Sequence, residues 1–110
     1  MKRVALMLVM VCAAVLPYSA QAGGNAENGK GLAQACAACH GPEGNKPIGP
    51  DFPIIAGQHA DYLRKALLDY KSGARANPIM RTFAEPLSKQ DIDDLAAYFA
   101  SQSSKLQTHR

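Results

Sequence analysis

Two thiols three positions apart, followed at once by an imidazole, form the most reactive constellation in the chain: Cys36-Ala37-Ala38-Cys39-His40. Cysteines at this spacing lie about one helical turn apart. At that separation both sulfurs can add across the two vinyl groups of one porphyrin. The next residue then offers a ring nitrogen to the iron. CxxCH is the attachment signature of c-type haem. It predicts Cys36 and Cys39 as covalent thioether anchors and His40 as the proximal iron ligand. Other chemistries for the pair fit less well. A thioredoxin-like redox pair wants a strand-helix-strand frame, and no stretch shows convincing strand alternation. A zinc site wants four ligands, and the remaining histidines, His59 and His109, are widely scattered.

An iron held by His40 either takes a second axial ligand or leaves that place open to small molecules. Beyond the first 22 residues Met80 is the only methionine. It follows Asn77-Pro78-Ile79, a stiff setting able to aim a thioether, and is the predicted distal ligand. A methionine is more often core filler, but here loop setting and elimination agree. His59 is the rival, with a capping or surface role as its plainer reading. His109 sits in a polar tail. A His/Met pair raises the reduction potential and fills both axial positions, which suits electron transfer. A second histidine favours a lower potential, and an open position suits a sensor or peroxidase.

The address of the chain comes next. Lys2 and Arg3 precede an apolar run over residues 4–16, Pro17 breaks it, and Ala20-Gln21-Ala22 gives a small-x-small pattern. This reads as a secretory signal peptide over 1–22, cut after Ala22. The run is shorter than the roughly 18 residues needed to span a bilayer, which weighs against an uncleaved anchor. Cys12 lies inside the run behind Val11 rather than a small residue, so it leaves with the leader. The export route implies a periplasmic protein with no stable membrane insertion. Removing Lys2 and Arg3 lowers the formal charge from +3 to +1, which gives no argument for nucleic acid or for a strongly charged membrane surface.

Residues 23–110 make one small domain. A chain this short buries limited apolar area and wants a staple; a covalently held haem is one. Three helices are expected. The first covers 26–39, with Gly29, Leu32, Ala33 and Cys36 on one face and Asn25 as N-cap. Gly29 suggests a close helix-helix contact. The second covers 59–72, with Ala60, Leu63, Leu67 and Tyr70 as a core stripe and Gly73 as its stop. The third opens on a capping box, Ser88 with Asp91, repeats Ile92, Leu95, Ala96 and Phe99, and ends near Gln102. Asp91, Asp93 and Asp94 read as helix-start and surface charge. Four prolines in 41–57 predict an irregular loop over one haem face, with Ile48, Phe52, Ile54 and Ile55 seeking burial. The stretch 74–87, with Pro78 and Pro86, reads as a second irregular segment. The fold class is all-α.

Gly29, Cys36-Ala37-Ala38-Cys39-His40-Gly41, Gly49-Pro50, Ile55-Ala56-Gly57-Gln58-His59, Asn77-Pro78-Ile79-Met80 and Asp94-Leu95-Ala96-Ala97-Tyr98-Phe99 together span most of the chain after the leader. In this set the chain resembles a bacterial class I cytochrome c of the small mono-haem cytochrome c-553 type, and is similar to one half of the di-haem cytochrome c-4 family. The resemblance implies the cytochrome c fold: three main helices and irregular loops wrapped around one haem c. It implies thioether bonds at Cys36 and Cys39, axial ligation by His40 and Met80, and a Pro50 carbonyl on the far nitrogen of His40. It also implies that Gly29 lets the first helix cross the third against Tyr98 or Phe99. The second CxxCH of the di-haem relatives is missing here. The expected function is a one-electron carrier in a respiratory electron transport chain, not an enzyme. Donors and acceptors are redox proteins: a dehydrogenase, an oxidase or other cytochromes. It acts as a monomer or as a single-haem subunit of a larger complex.

Overall fold

The computed structural model describes residues 23–104 continuously, together with residues 5, 9–14 and 106. The cleavage point expected at Ala22 and the tail residue His109 lie outside the described residues. Among the described residues five helices follow in order: α1 (Ala26–Leu32), α2 (Gln34–His40), α3 (Ala60–Ser72), α4 (Pro78–Ala84) and α5 (Lys89–Ser101). No strand occurs among the described residues.

The single helix expected over 26–39 is two. Asn25 caps α1, its side-chain oxygen accepting from the backbone N–H groups of Glu27 and Asn28 at 2.9 and 3.2 Å, which satisfies two free donors of the first turn. Ala33 keeps a helical backbone, but the ladder tightens there, with the Cys36 N–H on the Ala33 carbonyl at 2.9 Å. Such a three-residue turn changes pitch without leaving the helical region. It sets α2, which carries the cysteines and His40, apart from α1.

Helix α5 is the spine. Ser88 and Asp91 form the reciprocal capping box that the sequence predicts. Ile92, Leu95, Ala96, Tyr98 and Phe99 are buried, and the core joins Leu95, Ala96, Tyr98 and Phe99 to Ala33 and Leu63. Each fully buried large aliphatic side chain contributes about 1.5–3 kcal/mol by leaving water. Helix α1 crosses α5 at Gly29, where a Cβ would stand 2.0 Å from the Asp94 carbonyl oxygen and 2.8 Å from the Tyr98 Cβ. Only hydrogen fits that gap. Of the two partners considered for Gly29, the contact is with Tyr98.

Asp94 departs from its sequence reading. It is 3 % exposed and accepts from the Asn25 N–H at 2.7 Å and from Gln90 Nε2 at 2.8 Å. The carboxylate is therefore a strut between the α1 N-cap and α5, and burial is tolerated because its oxygen is hydrogen-bonded.

Helix α3 ends as expected at Gly73, with φ +84°. The stretch 74–87 is a correction: it contains α4. Asn77 caps this helix, accepting from the N–H groups of Ile79 and Met80, both at 3.1 Å. Pro78 stands in its first turn, where the missing N–H costs nothing and the fixed φ suits a helix start. Lys71 closes the far end by donating to the carbonyls of Glu85 and Leu87 at 2.7 and 2.5 Å.

Candidate haem site

Cys36, Cys39 and His40 line one wall of a cleft of about 420 Å³. Phe52, Pro53, Ile54 and Ile55 of the 41–57 loop line a second, and Leu63, Leu67 and Tyr70 of α3 a third. Helix α4 adds Ile79, Met80 and Phe83, and α5 closes the cleft with Leu95, Ala96 and Phe99. The walls are mostly apolar, with a few convergent polar groups, the usual make-up of a cofactor site. The α3 stripe thus has two jobs: Leu63 belongs to the core and also faces the cleft.

His40 is 5 % exposed and is held in one orientation. Its Nδ1 lies 2.8 Å from the carbonyl oxygen of Pro53. A carbonyl can only accept, so Nδ1 carries the proton and Nε2 keeps its lone pair for a metal. Phe52 meets the imidazole edge-on at 6.3 Å between ring centres. The partner expected from the resemblance was Pro50; the structure gives Pro53. Both prolines stand in the same breaker-rich loop, and proline spacing alone does not say which carbonyl turns inward.

The chain must reverse directly after His40. Gly41 does this with φ +88°, and a Cβ there would lie 2.9 Å from the Lys46 backbone. The turn is tied by the Lys46 N–H on the His40 carbonyl and the Ile48 N–H on the Cys39 carbonyl, at 3.2 and 3.1 Å. The Tyr98 hydroxyl donates to the Pro42 carbonyl at 3.1 Å, fixing the loop to α5. Phe52, Ile54 and Ile55 are part-buried, as their character demands, but Ile48 is 68 % exposed and stands as an exception.

Cys36 and Cys39 are unbridged thiols. Burial, and secondarily the neighbouring Cys39, hold the Cys36 thiol above its ordinary range before attachment. Met80 is part-buried and lines the cleft, whereas His59 is exposed and is not among the lining residues. Sequence reasoning missed Pro53 and Arg75 as cleft residues. Arg75 places its guanidinium carbon 4.8 Å from the Tyr70 ring centre.

These features fit a porphyrin: two thiols and an oriented imidazole face one apolar cleft that also holds a thioether. The family description "Cytochrome c" matches residues 26–103. The chain belongs to the cytochrome c family. Cytochrome c4 of Stutzerimonas stutzeri is 46 % identical over 92 residues, covering 76 % of this chain and 43 % of that protein. Cytochrome c-554(548) of Halomonas halodenitrificans is 38 % identical over 82 residues, covering 72 % of this chain and 98 % of that one. The thiosulfate dehydrogenase electron acceptor of Stutzerimonas stutzeri is 48 % identical over 65 residues, covering 59 % of this chain and 30 % of that one. The crystal structure of reduced recombinant cytochrome c4 from Pseudomonas stutzeri superposes with a TM-score of 0.70 at 42 % identity, covering 76 % of this chain and 48 % of that one. The chain therefore spans less than half the length of the cytochrome c4 relatives. It is a class I cytochrome c similar to one half of a c4 protein, with the cytochrome c fold and a covalently attached haem c as cofactor.

Proposed function

We propose that this cytochrome is a periplasmic one-electron carrier of a respiratory chain, exported by residues 1–22 and released after Ala22. Cys36 and Cys39 anchor its haem, His40 and Met80 are the axial iron ligands, and Pro53 orients His40. The observation that carries this reading is the meeting of Cys36, Cys39, His40 and Met80 on the walls of one cleft. The bound haem supplies an iron that gains or loses a single electron. The chain supplies the rest. The Pro53 carbonyl keeps the His40 Nε2 available. The Asn77 cap and the Lys71 clamp hold both ends of the helix that carries Met80. The apolar walls keep water from the iron and favour the state of lower charge. Tyr62, Ile79 and Phe83 line the cleft and are 52, 55 and 41 % exposed, giving a small apolar rim. Redox partners that must dock briefly and leave use contacts at the small end of the interface range.

A second reading is an electron-transfer subunit held by a dehydrogenase. The kinship to a thiosulfate dehydrogenase electron acceptor favours it. Gel filtration of native extract separates the two: a small haem-containing monomer supports the free carrier, and co-elution with a large dehydrogenase supports the subunit. Visible and near-infrared spectra of the purified protein in both oxidation states test the core proposal. His/Met ligation gives a weak sulfur-iron absorption in the oxidised form and no rapid carbon monoxide binding in the reduced form. Rapid, complete carbon monoxide binding near neutral pH points instead to an open iron.

A further inference from the structure

Three acids stand close together on α5, and two of them have company that suits their charge. Asp91 is half-buried in the first turn, where the helix favours an anion, and accepts from the Ser88 N–H at 2.9 Å. Asp93 pairs with Arg64 of α3 at 3.9 Å. Asp94 is the most buried of the three, yet its partners are neutral. Among the described residues its hydrogen bonds, from the Asn25 N–H and from Gln90 Nε2, both end on Oδ1. Oδ2 is therefore open to a further donor. The ion pairs among the described residues engage Asp93, Asp69 and Glu85, and none engages Asp94. Hydrogen bonds offset part of the cost of burying a carboxylate; a nearby cation offsets more.

The chain that enters α1 passes directly over this acid. A Cβ at Gly24 would stand 1.8 Å from the Asp93 carbonyl oxygen and 2.4 Å from the Asp94 backbone nitrogen, so only a glycine passes there. Consecutive Cα atoms are about 3.8 Å apart. The nitrogen of Gly23 is thus one residue from that contact and two from the Asn25 N–H that already rests on Asp94. A Cβ at Gly23 would meet nothing within 4 Å, so the surrounding space lets this nitrogen turn toward the carboxylate. In an uncut chain the Gly23 nitrogen is a neutral amide. Cleavage after Ala22 makes it a primary amine, which ordinarily titrates at about 7.7–8.0 and so carries a positive charge at neutral pH.

We propose that the α-ammonium group of Gly23, released by cleavage after Ala22, pairs with the Asp94 carboxylate and locks the crossing of α1 and α5. This pairing requires the cleavage proposed above. Removal of the leader then completes the fold, because the charge that Asp94 needs comes from processing and not from a side chain. The two glycines act together: Gly24 allows the close pass, and Gly23 leaves the amine free to reach. Helix α5 also supplies Leu95, Ala96 and Phe99 to the cleft, so the latch bears on a wall of the haem site.

The test uses exported holoprotein, wild type and Asp94→Asn, with the free peptide Gly-Gly-Asn-Ala as reference. Intact mass first reads the start of the chain. A start other than Gly23 removes the cleavage reading, and the pairing falls with it. With Gly23 in place, a small acylating reagent is applied across a pH series and peptide mass mapping follows modification of the Gly23 amine. Only the uncharged amine reacts, so the midpoint of the rate against pH reports its pKa, which mere crowding would not move. Pairing holds the amine in its charged form. The wild-type midpoint is therefore expected above that of the peptide by about half a unit or more, or about threefold less reactive amine at neutral pH. In Asp94→Asn the midpoint is expected to return to that of the peptide. A wild-type midpoint equal to the peptide's overturns the pairing while leaving the cleavage intact, and so does a raised midpoint that persists in Asp94→Asn. If Asp94→Asn does not mature, the wild-type midpoint decides alone.

Discussion

The Nδ1 of His40 and the carbonyl oxygen of Pro53 lie 2.8 Å apart, and this contact sets how the imidazole meets a metal. A hydrogen bond at Nδ1 raises the basicity of the other nitrogen, which favours the ferric iron. Loosening the loop at residue 53 should therefore raise the midpoint potential. Pro53→Gly is expected to change the ferric-to-ferrous ratio about threefold, roughly 30 mV for one electron. Pro50→Gly, at a residue whose carbonyl is not the partner of His40, should change it less. Redox titration of both variants checks this, and the reverse order would return the role to Pro50.

Met80 is the residue on which the electron-carrier reading turns. Met80→Ala is expected to abolish the weak sulfur-iron absorption of the oxidised protein and to open the reduced iron to carbon monoxide. An unchanged near-infrared spectrum in the variant removes Met80 from the axial set.

Lys71 reaches from α3 to the carbonyls of Glu85 and Leu87, just beyond the helix that bears Met80. Lys71→Met keeps much of the apolar stem but removes both donations, at a cost of about 1 kcal/mol. The Met80 ligand should then be displaced at lower pH than in the wild type, because the segment that holds it is less tightly tied. A pH titration of the near-infrared band measures this directly.

Gly29 and Asp94 share the α1–α5 crossing. Gly29→Ala forces a methyl group to within 2.0 Å of the Asp94 carbonyl oxygen, so the helices must separate. The expected loss is about 1–3 kcal/mol or more, which for a domain of this size lowers the melting temperature by roughly 4–8 °C per kcal/mol. Thermal unfolding followed by circular dichroism reads it. A melting temperature within a degree of wild type would mean that the crossing adjusts without cost.

The parts of the fold that sequence exposes are those governed by local chemistry. The capping box at Ser88 and Asp91, the Asn25 cap and the Gly73 stop all follow from residues within four positions of one another. Cys36, Cys39 and His40 are equally local, and the cleft brings them together. What sequence hides is set by distant partners. Asp94 reads as one more surface acid until the Asn25 N–H is seen on it, 69 positions away. Pro78 reads as a breaker when it opens a helix, and the Asn77 cap beside it was the available signal. Arg75 looks like one of several mixed surface charges until Tyr70 and the cleft are placed around it.

The account depends most on a haem bonded to the chain through Cys36 and Cys39. Intact mass spectrometry of the purified, denatured protein tests that bond directly. The expected mass is the polypeptide from Gly23 plus one haem, with no haem mass retained when both cysteines are replaced by serine. A wild-type mass equal to the bare polypeptide, with two alkylatable thiols, would contradict it.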